Sequence, residues 1–187
     1  MLAGIGGQGI QLAAQVLARA AALENRFVLS LGTYGGTMRG GNTEAVVVVG
    51  DAPLESPPIV SRVWAALVLH ARFWEPVRAK LRVGSQLWCD PAHFEDAPPE
   101  GCSRVPVAAE RLAHDAGAPI AVSLVMLAAF CRATGLVESA SLCEALRLSL
   151  PERRARHLPA SLAALEAGAA AASPDVEPAW PAREAVA

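Results

Sequence analysis

The chain has 187 residues, 53% of them hydrophobic, and a formal net charge of -2. That length and apolar content suit one globular domain with a sizeable core and exclude a disordered chain, while near-neutral charge with scattered arginines leaves no electrostatic footprint for nucleic acid. The longest apolar run, Ala118 to Cys131 broken only by Ser123, falls short of the roughly 20 residues that span a bilayer. No charged segment followed by an apolar one opens the chain, so neither membrane nor signal peptide is expected and the cytoplasm is the expected compartment.

In chain order, Met1, Leu2 and Ala3 make half a strand, so the start is expected to be shortened. "GIGGQG" follows, in which Gly4, Gly6 and Gly9 fit G-x-G-x-x-G with Gly7 and Gln8 between them. Beyond it Ile10, Ala13, Ala14, Leu17 and Ala21 recur on one helical face, so a helix is predicted directly behind the loop. Glycines let backbone approach backbone or a ligand, and the unpaired N–H groups of a helix start favour an anion. A dinucleotide site also needs an acid about 20 residues further on, at the end of the second strand, for a ribose hydroxyl. Leu31, Gly32 and Thr33 stand there instead, and Glu24 precedes the strand. The loop therefore either holds a different ligand or serves tight strand-to-helix packing.

A strand is predicted at Phe27–Leu31, a glycine-rich loop at Gly32–Asn42 and a β-branched strand at Thr43–Gly50. Val63–His70 reads as a strand, Trp74–Leu81 as a short helix, Ser85–Asp90 as a strand and the proline-bearing Pro91–Ser103 as a surface loop. From Val107 onward helices are predicted at Ala108–Ala116, Ile120–Thr134, Glu138–Leu148 and Pro151–Ala172, with Gly117 closing one and Pro119 in the first turn of the next. The pattern predicts an α/β fold: a Rossmann-like, parallel-rich sheet flanked by helices, with a helical C-terminal half. It forms one domain over residues 1–172. Residues 173–187, with three prolines and no periodicity, read as a disordered tail or an extended arm laid on a partner, Trp180 being its one possible anchor.

Cys89, Cys102, Cys131 and Cys143 are widely and unevenly spaced with no C-x-x-C, and His70, His93, His114 and His157 form no H-x-x-x-H pair. Neither a disulfide framework nor a zinc or iron–sulfur site is predicted. The second glycine loop, "LGTYGGTMRGGNTEA" from Leu31 to Ala45, would border the crevice at the strand ends beside the first. Arg39 in it suits a carboxylate or phosphate, and Gly40 and Gly41 permit close approach; a solvated hairpin loop is the other reading.

"AGIGGQGIQLAAQVLARAA" followed by "SLGTYGGTMRGGNTEAVVVVGDAPLESPPI" resembles the γ subunit, or γ domain, of the 2-oxoacid:ferredoxin (acceptor) oxidoreductases, through the paired signature G-x-GGQG and YG-x-x-MRGG. "PVAAERLAHDAG" and "VSLVMLAAFCRATGLV" are similar to the helical half of that family, so the resemblance runs from Leu2 to about Gly168. It implies a complex in which α and β subunits hold thiamine diphosphate and decarboxylate a 2-oxoacid, iron–sulfur clusters carry the electrons to a ferredoxin-like protein, and coenzyme A takes the acyl group. The chain itself would hold no cofactor and would not turn over alone. It would pack against the other subunits and help form the coenzyme A end of the cavity. The residues implied to line it are Gly4, Gly6, Gly7, Gln8, Gly9, Tyr34, Met38, Arg39, Gly40 and Gly41. Ser123, where Asn is common, and Trp64, near which an acid is common, depart from the family, as does the short first strand. "GTMRGG", unlike the M-x-QRGG of indolepyruvate enzymes, leans toward 2-oxoglutarate, branched-chain or arylglyoxylate substrates. Two other readings stand beside this one: a free-standing nucleotide- or flavin-binding module, and an assembly subunit without a ligand.

Overall fold

The computed structural model of the chain describes residues 1–34, 40–55, 57 and 59–180. Its six strands are β1 (Leu2–Ile5), β2 (Phe27–Tyr34), β3 (Asn42–Gly50), β4 (Val63–Val68), β5 (Leu81–Cys89) and β6 (Ser103–Pro106). They form one sheet in the order β2-β3-β1-β4-β5-β6. β1, β4, β5 and β6 pair in parallel, and β3 runs antiparallel to both its neighbours. The sheet is therefore parallel-rich, as the alternation of strands and helices implies, with one reversed strand inserted beside β1.

Among the described residues six α-helices complete the fold: α1 (Ile10–Leu23), α2 (Trp74–Arg78), α3 (Ala109–Asp115), α4 (Val122–Thr134), α5 (Ser139–Ser149) and α6 (Leu158–Ala170). Strand alternation sorts their packing. Leu2, Ala45, Ala65, Leu67 and Trp88 face a core shared with α1 and α3–α6, while Ala3, Ala66, Val68, Leu87 and Cys89 face a smaller core completed by Trp74, Val77 and Phe94. All five apolar positions that define α1 in the sequence are buried. α4 is buried nearly all round, which is why its apolar run is continuous rather than striped.

Several boundaries differ from those the sequence suggests. β2 continues to Tyr34, past the expected loop start at Gly32, because β3 pairs with it over its whole length from Phe27↔Gly50 to Tyr34↔Thr43. Gly32 is tolerated in the strand because the Gln11 side chain of α1 occupies the space a Cβ would fill. α2 ends at Arg78 and β5 begins at Leu81, so part of the expected helix is strand. β6 lies at the end of the expected surface loop and is an edge strand with only Val105 buried, too short and too polar to carry a period-2 signal. The expected last helix is divided: a 3-10 segment, Glu152–His157, precedes α6, whose first turn holds Pro159.

The segment from Ser173 is described to Trp180, and that part lies on its own chain. Gln86 Nε2 donates to Glu177 O (3.0 Å), Ala179 N to Thr134 O (2.8 Å) and Trp180 Nε1 to Leu136 O (3.0 Å). The Arg26 guanidinium stacks 3.9 Å from the Trp180 ring centroid.

β1 begins at an unusual place: the Met1 ammonium group is buried inside the sheet and donates to Ala65 O at 2.8 Å. Burial pushes its pKa down to about 5, with the Lys80 charge adding to the effect. Between that value and the ordinary terminal pKa near 8, the unfolded chain binds a proton that the folded one does not, so stability rises with pH there. For the chain beginning at Met1, urea unfolding is expected to show stability highest above pH 8 and falling toward pH 5 by up to about 4 kcal/mol. A flat profile across that window would show that the terminus is hydrated and charged in the folded state.

Candidate functional site

β1 runs into a tight turn, Gly6–Gly9, and directly into α1. Gly7 and Gly9 have positive φ, 114° and 78°, which side-chain-bearing residues rarely adopt. Gly9 caps α1, and a Cβ on it would also lie 2.7 Å from Ser123 Oγ at the start of α4. Gly4 answers a second close approach: its Cβ would stand 2.5 Å from Gln8 Oε1. Gln8 folds back over the turn, its Oε1 accepting from Ile5 N (2.9 Å) and its Nε2 donating to Leu69 O (3.2 Å). The side chain thus staples the end of β1 to the end of β4. A reading of the motif alone treats Gln8 as a spacer between glycines, and its fixing role is visible only once β4 is beside it.

Because β3 is antiparallel, the end of β2, the start of β3 and the ends of β1, β4 and β5 all reach one rim of the sheet. The connection from β1 leaves by α1 on one face and that from β4 by α2 on the other, so a crevice opens between their ends, where open α/β sheets bind ligands. The two glycine loops meet here. Gly6 N donates to Gly41 O (2.9 Å) and Gly40 N to Gly6 O (3.4 Å). Gly4, Gly6, Gly7, Gln8, Gly9, Gly40 and Gly41 are therefore brought together. Tyr34 ends β2 on the same rim, while Met38 and Arg39 lie outside the described residues.

The crevice has a volume of about 350 Å³ and is lined by Gln8, Leu69, His70, Asp90, His93 and Glu110 with Val122 and Met126 at its apolar side. Asp90 is structural: Oδ1 accepts from Ala92 N (3.0 Å) and Oδ2 from Glu110 N (2.8 Å), which holds the start of α3 against the end of β5. His93 pairs with Glu110, and His70 Nδ1 accepts from Arg72 N at 3.1 Å. These side chains come from three strand ends far apart in sequence, and no spacing motif could have joined them. Gln11 is a further polar group that pattern missed; its Nε2 donates to Glu44 O (2.8 Å) and ties α1 to β3.

Other candidates are dispersed. Cys89 and Cys131 sit in different cores on opposite faces of the sheet, and burial raises both thiols above their ordinary range, with the Arg104 contact partly offsetting this at Cys89. Cys143 is raised by burial as well. Such a set does not fit a cluster, which needs converging thiolates. Among the described residues no three His, Cys, Asp or Glu side chains converge on a metal position, and no helix is long and apolar enough to cross a membrane. Glu24, which precedes β2 and so lies at the opposite end of that strand from the expected ribose position, accepts from Glu138 N (2.7 Å) and so satisfies the start of α5.

The sequence profile of the family described as pyruvate ferredoxin/flavodoxin oxidoreductase matches residues 1–171. Subunit KorC of 2-oxoglutarate synthase from Methanocaldococcus jannaschii is 29% identical over 155 residues, covering 81% of this chain and 82% of that one. Its counterpart from Methanothermobacter thermautotrophicus is 31% identical over 158 residues, with 80% and 83% covered. Among solved structures, the keto/oxoacid ferredoxin oxidoreductase γ subunit from Geobacter sulfurreducens superposes with a TM-score of 0.73 at 24% identity, covering 91% of this chain and 95% of that one. The 2-oxoglutarate:ferredoxin oxidoreductase from Magnetococcus marinus, solved with 2-oxoglutarate, coenzyme A and succinyl-CoA bound, gives 0.82 at 22% identity, matching 96% of this chain but 32% of that longer one.

Proposed function

Since the chain belongs to the pyruvate ferredoxin/flavodoxin oxidoreductase family, as a subunit of the γ type in a hetero-oligomeric 2-oxoacid:ferredoxin oxidoreductase, we propose that it supplies the coenzyme A end of that enzyme's reaction cavity. The observation that carries this reading is the pair of backbone hydrogen bonds joining Gly6 to Gly40 and Gly41 at the start of α1. They join the start of the Gly6–Gly9 turn to the exit of the second glycine loop, beside the α1 N-terminus, whose unpaired N–H groups and partial positive charge favour a phosphate or diphosphate. Arg39, one residue from Gly40, would add a bidentate cation. Coenzyme A carries a diphosphate and a 3′-phosphate, which matches that chemistry.

In this proposal the thiamine diphosphate and the clusters belong to α and β partners and a ferredoxin-like protein accepts the electrons. This chain's residues bind and orient the anionic end of the acyl acceptor. The uncovered sheet face beyond β1 supports a partner on that side. Val28 packs toward the helices, so Phe27, Leu29 and Leu31 point the other way, and Phe27 and Leu31 are 44% and 39% exposed. A free-standing dinucleotide module is disfavoured by topology: antiparallel β3 stands between β1 and β2, so the end of β2 is not beside the glycine turn where a ribose would need an acid.

Hydrogen exchange on the assembled enzyme tests the reading. Coenzyme A is expected to slow exchange of the Gly6–Leu12 amides by about tenfold, as ordering of a binding loop does. Unchanged exchange there, with protection confined to partner peptides, would assign the acceptor site to the other subunits.

A further inference from the structure

The charge of the chain is unevenly placed. Between Arg147 and Arg156 stand four arginines and one acid, Glu152, a formal charge of +3, so the remaining residues together carry -5 against the total of -2. This segment ends α5 and continues as the 3-10 turn Glu152–His157, in which every residue from Pro151 to Arg156 is exposed. Side chains three apart eclipse in such a turn, so Arg153 and Arg156 stand one above the other. Arg19 of α1 reaches the same corner, its guanidinium donating to Leu148 O. Among the described residues Arg147 has a carboxylate neighbour in Glu144 (3.4 Å), while Arg153, Arg154 and Arg156 pair with none, and Arg156 Nε donates instead to His157 Nε2 (3.2 Å). Directly behind them α6 begins with no acid in its first turn, so these cations stand against the positive end of its dipole. Leu148, next to Arg147, is 54% exposed.

We propose that the corner formed by Arg19, Arg147, Arg153, Arg154 and Arg156 is a docking surface for an acidic segment of one of the catalytic subunits of the complex, which brings carboxylates to the arginines and an apolar side chain to Leu148. Like charges gathered in one turn and set against a helix N-terminus oppose folding, and among the described residues nothing offsets them, so the offset comes from outside the chain. The composition selects a protein. Arginines around one exposed leucine have the make-up of a protein interface, whereas a polyanion such as nucleic acid meets net negative charge over the rest of the chain. Position and strength then select the source. α5 packs through Leu142, Ala145 and Leu146 into the core on the helical face of the sheet, while Phe27 and Leu31 point from the other face. A subunit seated on that uncovered face therefore reaches the corner with an extended segment and not with its body. An exposed ion pair contributes a factor of about five at most, so a handful of them holds a free protein no tighter than about 1 mM. A segment of a subunit already bound to this chain is presented at an effective concentration of about that order, and the same weak pairs suffice. A protein arriving from dilute solution gains too little from them. The inference rests on the chain's place in a hetero-oligomer and is independent of the coenzyme A reading.

The test uses the enzyme assembled with all of its subunits and three variants of this chain, Arg153→Lys, Arg154→Lys and Arg156→Lys, each of which keeps the charge and presents a primary amine. Lys80 is the only other lysine of the chain, so a zero-length carbodiimide cross-link from the new amine can be assigned by mass spectrometry. At least one variant is expected to be joined to an Asp or Glu within an acid-rich peptide of a catalytic subunit. In the variant of highest yield, replacing the other two arginines of the turn by Gln should lower that yield about fivefold or more, with the complex still intact on a sizing column. An intact complex in which none of the three cross-links to another subunit overturns the proposal, and leaves the chain's membership of the complex standing. A cross-link confined to a second copy of this chain, or one that forms only when the electron-accepting protein is added, also overturns it, since the corner would then serve self-association or a transient carrier. So would a yield that the two Gln substitutions leave unchanged, because the contact would not be held by charge.

Discussion

Gly168→Ala is expected to destabilise the protein by about 2–3 kcal/mol, which for a domain of this size lowers the melting temperature by about 5–10 °C. Alanine is the better helix former by close to 1 kcal/mol, and in an isolated helix the substitution would stabilise. Here the position decides the sign. Gly168 is where α6 crosses α4, and a Cβ on it would lie 2.2 Å from Val125 O and 2.9 Å from Val125 C. Those are backbone atoms of a buried helix and cannot rotate away, so the two helices must separate and the packing of Leu165, Ala164 and Val125 loosens with them. Gly168→Val should be worse, because a β-branched side chain extends the same conflict. Thermal unfolding of both variants checks this; an unchanged or raised midpoint for Gly168→Ala would mean that α4 and α6 are not held this close in solution.

Arg39→Ala is expected to raise the apparent coenzyme A constant of the assembled enzyme ten- to a hundredfold, since loss of one partner of a charge-assisted contact costs about 1.5–3 kcal/mol. Decarboxylation of the oxoacid, assayed without coenzyme A, should change far less, because that step precedes acyl transfer. The same arginine placed against a neighbouring subunit would give another signature: the complex would dissociate on a sizing column and both half-reactions would be lost together. Unchanged coenzyme A dependence in an intact complex would remove Arg39 from the proposed site. The glycines on either side of this question differ in kind. Gly9 is required by positive φ and by Ser123 at once, so its replacement disturbs the start of α1 whatever binds there; Gly40 is required by its own positive φ of 73°, although no described residue lies within 4 Å of a Cβ on it, so replacing either glycine disturbs the backbone. Arg39 is therefore the more informative position, because its truncation tests a ligand contact rather than a fold.

Much of the architecture is legible in the chain itself. The G-x-G-x-x-G turn, the helical spacing behind it, the β-branched run at Thr43–Gly50 and the continuous apolar stretch of α4 are local signals, each set by backbone conformation or side-chain period over a few residues. They are enough for an α/β fold with two glycine loops near one rim, and the order and spacing of those loops carry the family resemblance. What the sequence could not decide is which strand lies beside which. β3 between β1 and β2 depends on the pairing of Leu2–Ile5 with Asn42–Ala45 and of β2 with the whole of β3, contacts between segments whose separate patterns are compatible with several orders. That arrangement alone turns the rim into a place where Gly6 meets Gly41, where Gln8 reaches Leu69, and where His70, Asp90, His93 and Glu110 share a crevice. The short β6 and the return of residues 173–180 onto Thr134, Leu136 and Gln86 are likewise tertiary outcomes, since neither segment has a periodicity of its own. Local chemistry thus determined the elements and the glycine turns; the sheet order, and with it the site, was decided by long-range pairing that buries both faces of the central strands.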